Sequence, residues 1–160
     1  MRIISIDPGY ERLGVAIIEK TRTQKETVIY SDCIRTSSDL VFEDRLHQIG
    51  NSIERILEEH TPEALAIENL FISNNQKTAM RVAEVRGVLI YLAKKFNLSV
   101  KEYTPLQIKL AVTGDGKSGK DQVIRMVKML VKNIKDKALD DEYDAIAIGL
   151  AFFAYEKQIL

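Results

Sequence analysis

The sequence predicts an α/β domain: a five-stranded mixed sheet, three antiparallel strands and then parallel ones, flanked by helices. Three observations carry this. Runs rich in Val, Ile and Tyr, namely Ile3 to Ile6, Leu13 to Ile18 and Glu26 to Ile34, follow one another with short polar breaks, the pattern of an antiparallel meander. Two later apolar runs, Ala64 to Glu68 and Ser99 to Tyr103, are each preceded by a long stretch of helical periodicity, and the first of them is expected to return to the sheet centre beside the first strand. A strongly apolar segment, Ala145 to Phe152, closes the chain as a helix.

With 160 residues, 46% of them hydrophobic, one globular domain spanning 1–160 is expected. The run Ala145 to Tyr155 is too short to span a bilayer, and charged Arg2 and Asp7 interrupt what would be a signal-peptide core, so a soluble cytoplasmic protein is expected. The lone Cys33 can form no internal disulfide and reads as a core residue with no redox role.

Each element has its own signals. The first strand ends at Asp7, followed by the Pro8-Gly9 turn. A carboxylate there is costly to bury unpaired, so it either caps its own turn or holds a cation. Ser37-Ser38-Asp39 supplies N-cap candidates for a helix in which Leu40, Leu46, Ile49, Ile53, Ile56 and Leu57 recur at helical spacing, ending at Thr61-Pro62. The fourth strand again ends in an acid, Glu68, at the neighbouring strand end to Asp7. Phe71 lies in the polar loop that follows and either folds back onto the core or stays exposed to stack on a partner.

A long helix is expected from about Gln76 to Phe96, with Ala79, Ala83 and Gly87 forming a small-residue ridge that admits close approach of the sheet or of a second copy of the helix. Pro105 opens a short helix carrying Lys109, a glycine-rich loop spans Thr113 to Gly119, and Val123 to Val131 marks a basic helix. Asp140 is the expected cap of the closing helix. His47 and His60 read as surface residues.

The net charge is zero, but its distribution is uneven. Residues 39 to 68 hold eight acids and two bases, whereas residues 77 to 137 hold fourteen bases and five acids. These bases are either solvated helix faces or a phosphate-binding surface. The loop Gly114-Asp115-Gly116-Lys117-Ser118-Gly119-Lys120-Asp121 nearly spells a P-loop, yet Asp121 stands where Ser or Thr should ligate Mg²⁺ and no parallel strand leads in, so a flexible basic loop touching a nucleic-acid backbone is the better account.

Four acids form the main constellation: Asp7, Glu68, Asp141 and Asp144, the last pair on one face of the closing helix at i, i+3. Three elements far apart in sequence each place an acid at one end, in a sheet order that can bring those ends together. Like charges need a cation between them, and such oxygen ligands suit Mg²⁺ or Mn²⁺ rather than zinc. Acids holding two such ions about 4 Å apart serve in-line displacement at phosphorus. Lys109, Lys117, Lys120 and Arg125 would then bind phosphates along a nucleic acid.

The chain resembles the RuvC family, bacterial Holliday-junction resolvases of the ribonuclease H-like superfamily. The resemblance runs over essentially all of the chain and rests on Asp7-Pro8-Gly9 with Gly14, on Ile67-Glu68-Asn69-Leu70-Phe71, on Val85-Arg86-Gly87, on Lys109 with the Thr113 to Lys120 region, and on Asp141-Glu142-Tyr143-Asp144-Ala145. It implies a homodimer, joined through the long helix, that nicks two strands of like polarity across a four-way DNA junction in recombination and repair. It also implies the catalytic set Asp7, Glu68, Asp141 and Asp144 with Mg²⁺ or Mn²⁺, Phe71 at the junction centre, Lys109 and Lys120 near the scissile phosphate, and the branch-migration proteins RuvA and RuvB as partners. Alternatives are a related nuclease with another substrate and a non-catalytic junction-binding module. An actin-like ATPase or sugar kinase also begins with a strand ending in Asp, but needs two such domains.

Overall fold

The computed structural model describes residues 1–69 and 76–156. Five strands, β1 (Arg2–Asp7), β2 (Arg12–Glu19), β3 (Thr27–Arg35), β4 (Ala64–Glu68) and β5 (Ser99–Tyr103), form one sheet in the order β3-β2-β1-β4-β5. β1, β2 and β3 pair antiparallel, whereas β4 runs parallel to β1 and β5 parallel to β4. The parallel strands require long connections, which contain α1 (Phe42–His60) and α2 (Gln76–Lys95). Then come α3 (Pro105–Thr113), α4 (Lys120–Leu130) and α5 (Asp140–Tyr155).

Strand alternation sorts the side chains into two cores. Ile4, Ile6, Val15, Ile17, Leu65 and Ile67 pack against Ile49, Ile53, Val85 and Leu89 of α1 and α2. The opposite face carries smaller residues, with Ala16, Ala64 and Ala66 packed beneath α5 and its Ala145, Ile146, Phe152 and Phe153. Small side chains on that face let α5 lie close. Where even alanine is too large the chain uses glycine: a Cβ on Gly14 would overlap the Asp141 carbonyl, and one on Gly149 would lie 2.9 Å from Ser5 Oγ. Ile3, Ser5 and Asp7 share this face by alternation, as do Ala64, Ala66 and Glu68. Both strand-terminal acids therefore point toward the helix that carries Asp141 and Asp144.

Several helix ends differ from expectation. The N-cap of α1 is Val41, with no side-chain cap, and Ser37 instead accepts from the Asp39 N–H in a turn further upstream. The helix does stop at Thr61, in the left-handed region at φ 45°. Asp140 is not the cap of α5 but its first helical residue; the Leu139 N–H is satisfied by the Glu142 carboxylate at 3.0 Å. Glu142 is buried and also accepts from Ser31 Oγ at 2.5 Å, so it ties α5 to β3. His47 is exposed, but His60 is not a surface residue: its ring packs on Tyr30 at 5.2 Å between centroids, and its Nε2 is buried without a hydrogen bond. Among the described residues no helix is long and apolar enough to cross a membrane.

Candidate active site

Asp7 and Glu68 leave adjacent parallel strands one step beyond the pair Ile6 and Ile67, so their carboxylates are neighbours by register. They line an open cavity of about 250 Å³ together with Asp144, Lys109 and Lys120, and with an apolar wall that includes Ile108, Val123 and Ile148. Five residues from β1, β4, α3, α4 and α5 thus converge. Lys109 is on α3, whose start is fixed by Pro105 and by a capping box in which Thr104 and Gln107 exchange hydrogen bonds. Lys120 is the first residue of α4, and its ammonium lies 3.3 Å from Asp140 and 3.4 Å from Asp144.

The electrostatics single out Asp7. Burial, followed by the charges of Glu68, Asp144 and Asp141, pushes its carboxyl up to about 7, with Lys120 offsetting part of this. Burial and Asp144 raise Glu68 as well, against the opposing pull of Arg86 and Lys109. Burial raises Asp144 even though Lys120 pulls it down. Holding Asp7 ionised at neutral pH, against an ordinary value of 3.8, costs on the order of 4 kcal/mol. Two or three core side chains of α5, at roughly 1.5–3 kcal/mol each, offset that. The apolar packing of α5 therefore forces carboxylates together that would otherwise separate.

Asp141 is placed differently from the other three acids. Its carboxylate is paired with Arg12 of β2 and lies 3.6 Å from Cys33 Sγ, beside the cavity rather than in its lining. It still acts on Asp7 electrostatically. Among the described residues, no group of three acids, histidines or cysteines is drawn tightly enough to enclose an ion in these rotamers. The donor set nevertheless suits a hard divalent cation: all donors are carboxylate oxygens, and Asp7 is raised by three like charges that a cation would neutralise. Lys120 already places a positive charge beside Asp144.

Of the other expected contacts, Lys117 is exposed in the loop before α4, where its N–H donates to Asp115 at 2.9 Å, and Arg125 is exposed on α4. Neither lines the cavity. The loop joins two helices, so no strand enters it, and Thr113 and Ser118 tie it across at 2.7 Å. Phe71 lies outside the described residues. The ridge on α2 does not meet the sheet: Ala83 and Gly87 are exposed, and a Cβ on Gly87 would touch nothing.

Three residues have roles that the reading of the sequence did not assign, although two of them, Gly14 and Arg86, stand in the motifs that carry the resemblance. Arg86, buried on α2, donates to the Glu68 carbonyl and to the Glu102 carboxylate at 2.7 Å, fixing the end of β4. Arg12 reaches Asp141 across 129 positions, which no local pattern could reveal. The need for Gly14 had a local signal, a lone glycine inside a β-branched strand, which marks close backbone approach.

Comparison with known proteins gives the family of the chain. The family described as crossover junction endodeoxyribonuclease RuvC matches residues 3–152. The chain is 42% identical over 149 residues to the RuvC of Thermosipho melanesiensis, covering 93% of this chain and 94% of that one. It is 38% identical over 160 residues to the RuvC of Caldicellulosiruptor saccharolyticus, covering 100% and 96%. The solved structure of Thermus thermophilus RuvC in complex with a Holliday junction substrate superposes with a TM-score of 0.91 at 26% identity, over 99% of this chain and 96% of that one. With the strand order, the acid-lined cavity and these full-length matches in agreement, the chain belongs to the RuvC family of crossover junction endodeoxyribonucleases, on a ribonuclease H-like fold.

Proposed function

We propose that this protein is a Holliday-junction resolvase that nicks two strands of like polarity in a four-way DNA junction, in recombination and repair, leaving 5′-phosphate and 3′-hydroxyl ends. The observation that carries the reading is the meeting of Asp7, Glu68 and Asp144 with Lys109 and Lys120 around one open cavity in a chain of this family. Asp7, Glu68, Asp141 and Asp144 would hold two Mg²⁺ or Mn²⁺ ions. Bound there, such ions supply Lewis-acid charge to the attacking and leaving oxygens of an in-line displacement.

The chain's own groups do the positioning. Lys120, on one wall, balances Asp144 and presents its ammonium to an incoming phosphate. Lys109 does the same beside Glu68, whose carboxyl it pulls downward. Both contacts would supply affinity without sequence information, and Lys117 and Arg125 would extend them along the backbone. Phe71 would stack at the junction centre.

Symmetric nicking needs two such sites, and the exposed face of α2 is the candidate dimer surface. Met80, Ala83, Gly87 and Tyr91 follow one another at helical spacing there, with Met80 and Tyr91 both 67% exposed. RuvA and RuvB would be the partners that deliver the junction, on the strength of the family relationship.

The test is cleavage of a synthetic four-way junction and of a linear duplex with Mg²⁺, by the parent protein and by Asp7→Asn. Equal nicking by the two proteins would overturn the site. Equal nicking of the two substrates would overturn the substrate.

A further inference from the structure

Beside the catalytic cavity, beyond the turn that follows Asp7, is a second polar cleft of about 330 Å³ lined by Glu11, Arg12, Arg35, Thr36, Ser38 and Arg45. Three of its six residues are arginines. Arg12 and Arg35 are directly opposite each other in the β2–β3 register, a cross-strand pairing of like charges that is unfavourable on its own. Arg45, on α1, is nine-tenths buried, with its Nε donating to Thr36 Oγ1 at 2.8 Å and its guanidinium over the Tyr10 ring at 4.9 Å. Its nearest carboxylate, Glu11, is 4.0 Å away and largely exposed. A buried guanidinium so weakly paired, facing two more across an open cleft, leaves a positive charge in want of an anion.

Arg12 also pairs with Asp141, beside the catalytic cavity, and its side chain is about half exposed. We infer that this cleft is a binding subsite for a DNA backbone phosphate, flanking the scissile one, held by Arg35 and Arg45 with Arg12 shared between cleft and catalytic site. The inference rests on the resolvase reading above and adds to it a contact surface on the β2–β3 side of the sheet, away from Lys109, Lys117, Lys120 and Arg125. Planar guanidinium forks suit a phosphate with two free oxygens. Thr36 Oγ1 accepts from Arg45 and donates to the Tyr10 carbonyl at 2.5 Å, so a phosphate held here is coupled to the turn just after Asp7.

The test uses the exposed member, Arg35, since removing buried Arg45 could unfold the protein. Binding of the parent, Arg35→Gln and Arg35→Lys to a synthetic four-way junction is followed by fluorescence anisotropy in EDTA over a potassium chloride series. For Arg35→Gln, affinity should fall several-fold and the slope of log affinity against log salt should become shallower by about 0.9 for each lost contact, with Arg35→Lys recovering most of the slope. A scan of single methylphosphonate substitutions along the junction should also find one position beside the cleavage point whose neutralisation weakens the parent and leaves Arg35→Gln unaffected. Identical slopes and affinities for the parent and Arg35→Gln, or no such position, would overturn the cleft. A parent protein without junction affinity would instead overturn the resolvase reading, and the cleft with it.

Discussion

Gly14 of β2 lies directly against the Asp141 carbonyl of α5, leaving no space for a Cβ between them. The first turn of α5, with Asp141 and Asp144, reaches the strand ends through this contact. Gly14→Ala should lift that turn by the width of a methyl group, slow junction nicking by more than 10-fold and destabilise the fold by about 1–3 kcal/mol, as overpacking does. Single-turnover rates and urea melts of the two proteins decide it; an unchanged rate would refute the role of the contact.

Asp7 should make stability fall with rising pH. Its carboxyl is raised to about 7 in the fold, against 3.8 ordinarily, so the native state binds the proton more tightly than the unfolded chain does. Stability therefore drops between about pH 4 and pH 7, and the full penalty stands above pH 7. Without divalent ions, Asp7→Asn should be more stable than the parent at pH 8 by on the order of 2–4 kcal/mol, and no more stable below about pH 4. Added Mg²⁺ should raise the melting temperature of the parent and much less that of the variant. Denaturant titrations at the two pH values test both statements.

Lys120 lines the catalytic cavity with its ammonium 3.4 Å from Asp144. Lys120→Met should slow single-turnover nicking by about 100- to 1,000-fold, the usual cost of one group that stabilises developing charge. Saturating the protein with junction should not restore the rate. Full recovery at saturation would reduce Lys120 to a contact for affinity alone.

Arg86 holds the end of β4 by donating to the Glu68 carbonyl and pairing with Glu102, itself 41% exposed. Because one partner is half in water, Arg86→Ala should cost about 2 kcal/mol, less than a fully buried pair. Arg86→Lys should fail to restore nicking, since a single ammonium cannot replace the guanidinium fork across both oxygens. Thermal melts and cleavage rates of the two variants separate stability from positioning.

Gly87 is open to solvent on α2, where an added Cβ would touch nothing within the chain. On the proposed dimer through α2, the parent should sediment as a dimer, and Gly87→Glu should leave the melting temperature of the isolated fold nearly unchanged while shifting the protein to monomer. Analytical ultracentrifugation reads this directly, and a variant still dimeric at micromolar concentration would place the dimer contact elsewhere.

By itself the sequence determined the five strands, the place of the fourth beside the first and the acids at the strand ends, because these follow from short-range pattern and connection length; the edge position of β5 came from the structure. Period-two runs mark strands, Pro8-Gly9 and Thr61-Pro62 mark stops, and long helical stretches force parallel pairing. It also placed Lys109 and Lys120 among the phosphate-binding candidates, and both line the cavity. The local competition at helix starts was misread, since Val41 and Leu139 hold the cap positions. Only the tertiary structure decided that the α2 ridge faces solvent, that His60 is packed on Tyr30, and that Arg12 and Arg86 brace the acids. Such contacts join residues up to 129 positions apart and depend on which side chains the packing of α5 brings within reach. Periodicity tells each residue which face it is on; only the closed fold tells it what it meets there.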